Sequence, residues 1–211
     1  MMISPESYVE MELAGKPADK VLSKIRGLKR EIAKLKNQAE DPYNHIKHIC
    51  PSPQVQIDVM RDYLKEAKKY YASIGGEYVP SASEKRAEAF NSGLEHITVI
   101  TIVYGGYCDG SETRTLSRDG DKIVVEREFY NGARDDGRVL YEDMKWKDLL
   151  ENLSSVHMGE WKSKYDDPDT TDGTQWSVDI RYDNGIPAKH YWGSNKFPYN
   201  FERFLELMEM V

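Results

Sequence analysis

The chain of 211 residues is 39% hydrophobic and 31% charged, with a formal net charge of −7. No apolar run approaches the roughly 18 residues that a membrane span requires, and the acidic start "MMISPESYVEMELAGK" lacks the basic flank and apolar core of a signal peptide. The negative charge disfavours broad, non-specific binding of nucleic acids, and the two cysteines, Cys50 and Cys108, are too few for a disulfide framework. We expect a folded cytoplasmic protein that does not associate with membranes.

The first 76 residues contain two helical seams joined by a polar linker. Apolar residues recur at intervals of three and four in both: Val21, Ile25, Leu28, Ile32 and Leu35 in the first, and Ile57, Met60, Leu64, Ala67, Tyr71 and Ile74 in the second. Ser52 and Pro53 suit the start of the second helix, and the pair Gly75-Gly76 suits its end. We predict an antiparallel, coiled-coil-like hairpin over residues 1–76, with a seam that also suits assembly into a homo-oligomer.

Residues 77–94 predict a connecting helix, because Ser81 and Glu84 have the spacing of a capping box and Gly93 can end the helix. From residue 95 the pattern changes to that of strands. "HITVITIVY" is rich in β-branched residues, and the pairs Asp119-Gly120 and Asn184-Gly185 favour tight turns. Helical patterns return in "YEDMKWKDLLENLSSV" and after residue 200. The predicted fold class is α+β: an N-terminal antiparallel helical hairpin followed, over residues 95–211, by a mainly antiparallel sheet packed with two helices.

The stretch "YWGSNKFPYNFERF", residues 191–204, combines aromatic rings with turn-forming residues just before a helical pattern. Pro198 fits the first position of that helix, or Asn200 fits its N-cap. We interpret the stretch as a turn and a helix start, because backbone demands usually explain the Asn, Gly and Pro residues of a loop. Its alternative role is a partner-binding loop formed by Trp192, Asn195 and Lys196.

The run "DGTQWSVDIRYDNGIPAKHYWGSNKFPYNFERFLELM", with "GEWKSKY" before it and "ITIVYGG" further upstream, resembles a domain found in many uncharacterised bacterial proteins. The shared features are a tryptophan that closes a helix, a DGxxW turn that begins a strand, and a GSN turn that leads to P-x-N-F and the final helix. The resemblance covers about residues 95–211. It implies this fold and a bacterial or phage ancestry, and it carries no assigned chemistry.

Charge is segregated along the chain. Between Ala14 and Glu40, eight basic residues accompany three acidic ones. This basic helix predicts docking to phosphate or to an acidic protein surface through Lys20, Lys24, Arg26, Lys29, Arg30, Lys34 and Lys36. An acidic pole suits the basic groove of a partner through Asp135, Asp136, Glu142, Asp143, Asp166, Asp167, Asp169 and Asp172. The simpler interpretation of both surfaces is a solvated exterior that maintains solubility, and docking is their functional interpretation.

Candidate sites for metals and catalysis are weak. "HIKHIC" places the zinc-ligand types His45, His48 and Cys50 close together, but a second pair of ligands at recognisable spacing is missing. "DDPDTTDG" lacks the glycine and glutamate that a calcium-binding EF-hand loop needs at its sixth and twelfth positions. Cys108 follows a glycine-rich stretch that matches no phosphate-binding motif, and its candidate bases are His96, His157 and His190. We therefore predict no catalytic residue and no cofactor.

These patterns favour a non-catalytic protein of bacterial or phage origin that binds another macromolecule, most simply another protein. One concrete version is an inhibitor or immunity protein that acts on a nucleic-acid-targeting enzyme, such as a phage-encoded blocker of a CRISPR nuclease. Two alternatives stay open: a small enzyme that uses a metal or a cysteine, and a nucleic-acid-binding protein that uses the basic helix over residues 16–36.

Overall fold

The computed structural model describes residues 3–44, 50–106, 109–132, 141, 144–170 and 172–210. The chain divides into two compact units, Met1–Pro80 and Ser81–Val211. The first unit is helical and the second combines a six-stranded sheet with helices, which confirms the predicted α+β class. Among the helices of the described ranges, none has both the length and the apolar character needed to cross a bilayer.

The first unit consists of helices α1 (Pro5–Glu12), α2 (Ala18–Ala39) and α3 (Pro53–Ser73). Val21 and Ile25, near the start of α2, form one buried cluster with Ala67 and Tyr71, near the end of α3. This pairing of opposite ends shows that the two helices run antiparallel, as their seams predict. The predicted start of α3 is confirmed, because the Ser52 hydroxyl accepts a hydrogen bond from the backbone N–H group of Val55 at 3.4 Å.

Helix α1 is the element of this unit that the sequence analysis missed. It begins like α3, with Ser4 as the cap and Pro5 in the first turn. The ring of Tyr8 stacks on that of Tyr63 in α3, with 4.4 Å between centroids, and the Tyr63 hydroxyl donates to the carbonyl of Ile3 at 2.8 Å. The hairpin therefore has a third helix packed against it.

The second unit begins with α4 (Ala82–Ser92), whose capping box between Ser81 and Glu84 is present as predicted. The structure groups this helix with the sheet rather than with the hairpin. The other elements, in chain order, are β1 (Ile97–Gly106), β2 (Gly110–Asp119), β3 (Lys122–Tyr130), α5 (Trp146–Val156), β4 (Lys164–Asp166), β5 (Thr174–Tyr182), β6 (Lys189–Ser194) and α6 (Phe201–Leu207).

The sheet has the order β3-β2-β1-β5-β6-β4, and its pairs are antiparallel except for the parallel pair β4–β6. One face carries the core, because alternate residues of the central strands, including Ile102 and Val178, are buried together with residues of α5 and α6. Trp161 lies in this core, edge-on to Trp176 and Phe204 at centroid distances of 6.0 and 5.4 Å. The other face carries residues that are half-buried or exposed.

The turn between β2 and β3 differs by one position from the expectation. Asp119 pairs with Lys122, so the two central residues of the turn are Gly120 and Asp121. Gly120 has a φ of 62°, which explains why a glycine is needed there.

The start of α6 also differs from the expectation. Asn200 occupies the N-cap position of this helix, but its side chain makes no capping hydrogen bond, and Pro198 precedes the helix. The Asn200 amide instead accepts from Trp161 Nε1 at 2.7 Å and donates to the carbonyl of Val156. A buried tertiary contact has therefore replaced the predicted local cap, although the structural interpretation of this stretch is consistent with the contacts.

A buried arginine holds the end of α6. Arg114 of β2 is fully buried, and its guanidinium donates to the carbonyls of Met208 and Glu209 at 2.5 and 3.0 Å. Its Nε donates to the carboxylate of Glu112 at 2.7 Å, which also accepts from Arg127 at 3.0 Å. The guanidinium thus satisfies carbonyl groups that the helix end leaves unpaired.

Candidate binding surface on helix α2

The basic residues of α2 do not lie on one face. Five cations line the outward side of the first unit, which we call the basic stripe: Lys16, Lys20, Lys24, Arg30 and Lys34. Arg26 is exposed but lies outside this stripe, and Lys29 and Lys36 are half-buried. The seven predicted partner-binding residues are therefore divided, because a helix of 3.6 residues per turn distributes such a run around its axis.

The basic stripe borders two adjoining open depressions. Lys16, Lys20, Lys24 and Arg30 line the first, together with the small residues Ser23 and Gly27. Arg30 and Lys34 line the second, together with the polar residues Asn37, Gln38, Asp41 and Asn44. Arg30 contributes to both depressions, so they form one continuous surface along the helix.

Glu12 neutralises part of the basic stripe. Its carboxylate lies 2.6 Å from Lys24 Nζ and 3.9 Å from Lys16 Nζ. The hydrogen bond from Lys24 is the main cause that lowers the pKa of Glu12, and the same bond raises the pKa of Lys24. Within the described ranges, Lys20, Arg30 and Lys34 form no such ion pair. These three cations therefore remain available to a partner.

Lys29 has a structural role instead. Its Nζ donates to the hydroxyl of Tyr78 at 2.9 Å and lies 5.6 Å from the centre of that ring, while Lys68 approaches the same ring at 4.4 Å. Tyr78 also packs against the buried cluster of the helices. Lys29 thus fixes the segment after α3 and does not extend the basic stripe.

The acidic pole is described in part. Asp135, Asp136, Glu142 and Asp143 lie outside the described residues. Asp166 is exposed and contacts Lys164 at 3.0 Å, and Asp169 and Asp172 are exposed in the following turn. Asp167 is buried, and its carboxylate accepts from the Thr170 hydroxyl at 2.7 Å and from the backbone N–H group of Asp169. Asp167 therefore stabilises the turn while its neighbours face solvent.

The three residues of the predicted loop do not converge. Trp192 is 37% exposed and lies on the face of the sheet opposite the core, where Lys164 Nζ is 4.8 Å from its ring. Asn195 adopts a left-handed backbone (φ 55°) and donates to the carbonyl of Thr170 at 3.3 Å. Lys196 contributes its carbonyl to Trp176 Nε1 at 2.9 Å. Backbone and turn contacts thus account for Asn195, and Trp192 belongs to a separate surface.

The candidate metal and cysteine sites are only partly described. His45, His48 and Cys108 lie outside the described residues, and Cys50 is exposed. His96 and His190 each lie beside a carboxylate, Asp183 at 3.1 Å and Asp179 at 2.8 Å respectively. In the part of the chain that the structure describes, no group of three His, Cys, Asp or Glu side chains has a geometry that could hold a metal ion.

Gly27 is the residue of this surface that the sequence analysis missed. It lies in the interior of a 22-residue helix, and a Cβ atom added there would meet nothing within 4 Å. The sequence did contain a signal for it. Glycine weakens helices, so a glycine among the basic residues on the outward side of a predicted helix needs an explanation.

No protein-family model, curated protein or solved structure matches the chain. The resemblance of residues 95–211 to a domain of uncharacterised bacterial proteins therefore stays a prediction.

Proposed function

We propose that this protein is a non-catalytic binding protein and that its basic stripe docks on an acidic surface of another protein. The observation that carries the proposal is the cluster of exposed cations around the two depressions, in which Lys20, Arg30 and Lys34 have no ion-pair partner among the described residues. Holding like charges together on one helix face is unfavourable, and an anionic partner relieves that repulsion.

The charge of the surroundings favours a protein over a nucleic acid as the partner. Residues 1–80 contain 13 basic and 11 acidic side chains, and residues 81–211 contain 16 and 25. Glu12 of α1 forms ion pairs with two cations of the basic stripe, Lys16 and Lys24, and the exposed Glu31 follows Arg30 in α2. A phosphate backbone carries negative charge at every nucleotide and would meet these carboxylates, whereas a protein surface can oppose both signs.

The test is quantitative capture of partners with the full-length protein from an extract of the organism that encodes it. The variant Lys20→Glu/Arg30→Glu reverses two of the five cations of the basic stripe, and the matched control Lys65→Glu/Lys69→Glu reverses two exposed lysines of α3. We expect one or more acidic proteins to be captured by the wild type and the control, to be lost with the stripe variant, and to persist after nuclease treatment. Equal capture by all three proteins would refute the proposal.

A more specific version is an inhibitor or immunity protein for a nucleic-acid-targeting enzyme. The excess of acidic residues in 81–211, including the exposed Asp169 and Asp172, supports it, because such a surface can compete with nucleic acid for a basic groove. Cleavage assays with a panel of nucleases and CRISPR effectors test this version. Inhibition should weaken when Asp169 and Asp172 are changed to Asn, and unaffected cleavage across the panel would count against it.

A further inference from the structure

We infer that the element which docks on the basic stripe is an acidic α-helix that crosses α2 over Gly27. This inference rests on the proposed function and makes it more specific. The choice of a helix as the docking element depends on the small residues of the first depression, because the cations alone would accept any acidic surface.

Gly27 has no role that the described chain explains. Its φ is not in the left-handed region, and a Cβ atom at this position would meet nothing within 4 Å. Glycine is nevertheless disfavoured in the interior of a helix relative to alanine. Neither a turn nor internal packing requires a glycine at this position. Because the side chain is missing, the outward face of the α2 backbone is open to close approach from outside.

The neighbours of Gly27 extend this opening. Ser23 lies one turn earlier, so two small residues at positions i and i+4 line the depression together with the cations Lys20, Lys24 and Arg30. The distance between two packed helices depends on the side chains at their crossing, and small residues permit the shortest separations. The depression therefore fits the backbone of a second helix.

The spacing of the cations defines the chemistry of that helix. Lys20 and Lys24 are four residues apart, as are Arg30 and Lys34, so each pair projects from one side of α2. Glu12 already binds Lys24, so a partner helix with carboxylates at i and i+4 would oppose Arg30 and Lys34 while a small residue crosses Gly27. Phosphates of a nucleic acid could contact the same cations without entering the opening, so Gly27 separates these two kinds of ligand.

The probe is a fluorescently labelled, alanine-based helical peptide of about 20 residues with glutamates at i and i+4, long enough to be helical alone. Its control has two central alanines replaced by prolines, which keeps the charge and breaks the helix. A DNA duplex is the third probe. Binding to the full-length protein is measured by anisotropy for the wild type, Gly27→Ala, Gly27→Leu and Lys20→Glu/Arg30→Glu.

We expect Gly27→Leu to weaken binding of the helical peptide by at least about tenfold, Gly27→Ala to weaken it less, and the charge reversal to abolish it. Both glycine variants should melt at or above the wild-type temperature, because a helix former replaces glycine in open space. A loss of binding therefore cannot reflect unfolding.

The outcomes separate the two proposals. Equal binding of the helical and proline-containing peptides, with no effect of Gly27→Leu, would overturn this inference and leave the proposed function intact. Absence of binding to both peptides would overturn both. Binding of the duplex alone, insensitive to Gly27→Leu and lost on charge reversal, would replace both with the nucleic-acid-binding alternative.

Discussion

Replacing Asn200 by alanine tests whether the stretch before α6 is built for stability. The Asn200 side chain is buried, and it joins two groups that are distant in the chain: the indole N–H group of Trp161, at 2.7 Å, and the carbonyl of Val156. Alanine removes both hydrogen bonds and leaves a buried donor and a buried acceptor without their partner.

The expected cost follows from these two groups. A buried polar group that loses its partner costs about 1–3 kcal/mol, so Asn200→Ala should destabilise the protein by about 4 kcal/mol. For a chain of this size, 1 kcal/mol corresponds to a shift in Tm of roughly 2–4 °C, which predicts a decrease of about 10 °C. Because domains have a free energy of unfolding of about 5–15 kcal/mol, the variant should fold with a small margin.

Thermal and urea denaturation followed by circular dichroism measure this change. Asn152→Ala is the matched control, because Asn152 is exposed on α5 and should shift stability by less than about 0.5 kcal/mol. If Asn200→Ala is as stable as Asn152→Ala, the reasoning is wrong and the asparagine must be explained by something other than these contacts.

Asn200→Asp adds a pH dependence with a defined sign. The aspartate can still accept from Trp161, but in its charged form it cannot donate to the carbonyl of Val156. Burial and the facing carbonyl should raise the pKa of the new carboxyl above its unfolded value, since both favour the neutral form. The stability of this variant should therefore be highest at low pH and fall as the pH rises through the folded-state pKa, the opposite of an ion-paired carboxylate.

Three further predictions concern other parts of the chain. Gly193→Ala should destabilise the protein by about 1–3 kcal/mol in denaturant melts, because the added Cβ meets Trp176 Nε1; an unchanged midpoint would contradict this. Leu28→Asp should lower stability without changing the mass measured by light scattering, since Leu28 packs within its own chain, and a drop in mass would show that copies share the seam. Burial raises the pKa of Tyr182 to about 12 and also raises those of Tyr141 and Tyr191, so stability should fall as the pH rises above the ordinary tyrosine value of about 10. Absorbance at 295 nm measures tyrosine ionisation and so checks the raised pKa values. The expectation fails if all 14 tyrosines ionise together near pH 10 in the folded protein.

Local rules were sufficient for the starts of α3 and α4 and for the seam of α2. The Ser52 cap, the capping box of Ser81 and Glu84, and the buried seam of α2 all depend on residues within a few positions of one another. The same Ser-Pro start was present at Ser4, so α1 could have been predicted from the rule that located α3.

The exceptions arose where a distant partner determines the role of a side chain. Asn200 has the sequence position of a cap, but Trp161, 39 residues earlier, and the carbonyl of Val156 bind its amide. Lys29 was grouped with the exposed cations because its neighbours are basic, yet it donates a hydrogen bond to Tyr78 and does not belong to that surface. Helical periodicity alone could have separated Lys29 from Lys20 and Lys24, whereas the contact with Tyr78 required the fold.

The position of Arg114 also constrains the order in which the second unit can be completed during synthesis. A buried guanidinium is costly until its partners are in place, and two of these partners are the carbonyls of Met208 and Glu209, which are translated 94 and 95 residues later. The strands β1 and β2 can pair before then, but Arg114 gains these two partners only after residue 209 has been translated, so we expect the core around it to close last. Until that moment water solvates the Arg114 guanidinium and the apolar core face of the nascent sheet lacks α6 to cover it, which should make it a substrate for chaperones.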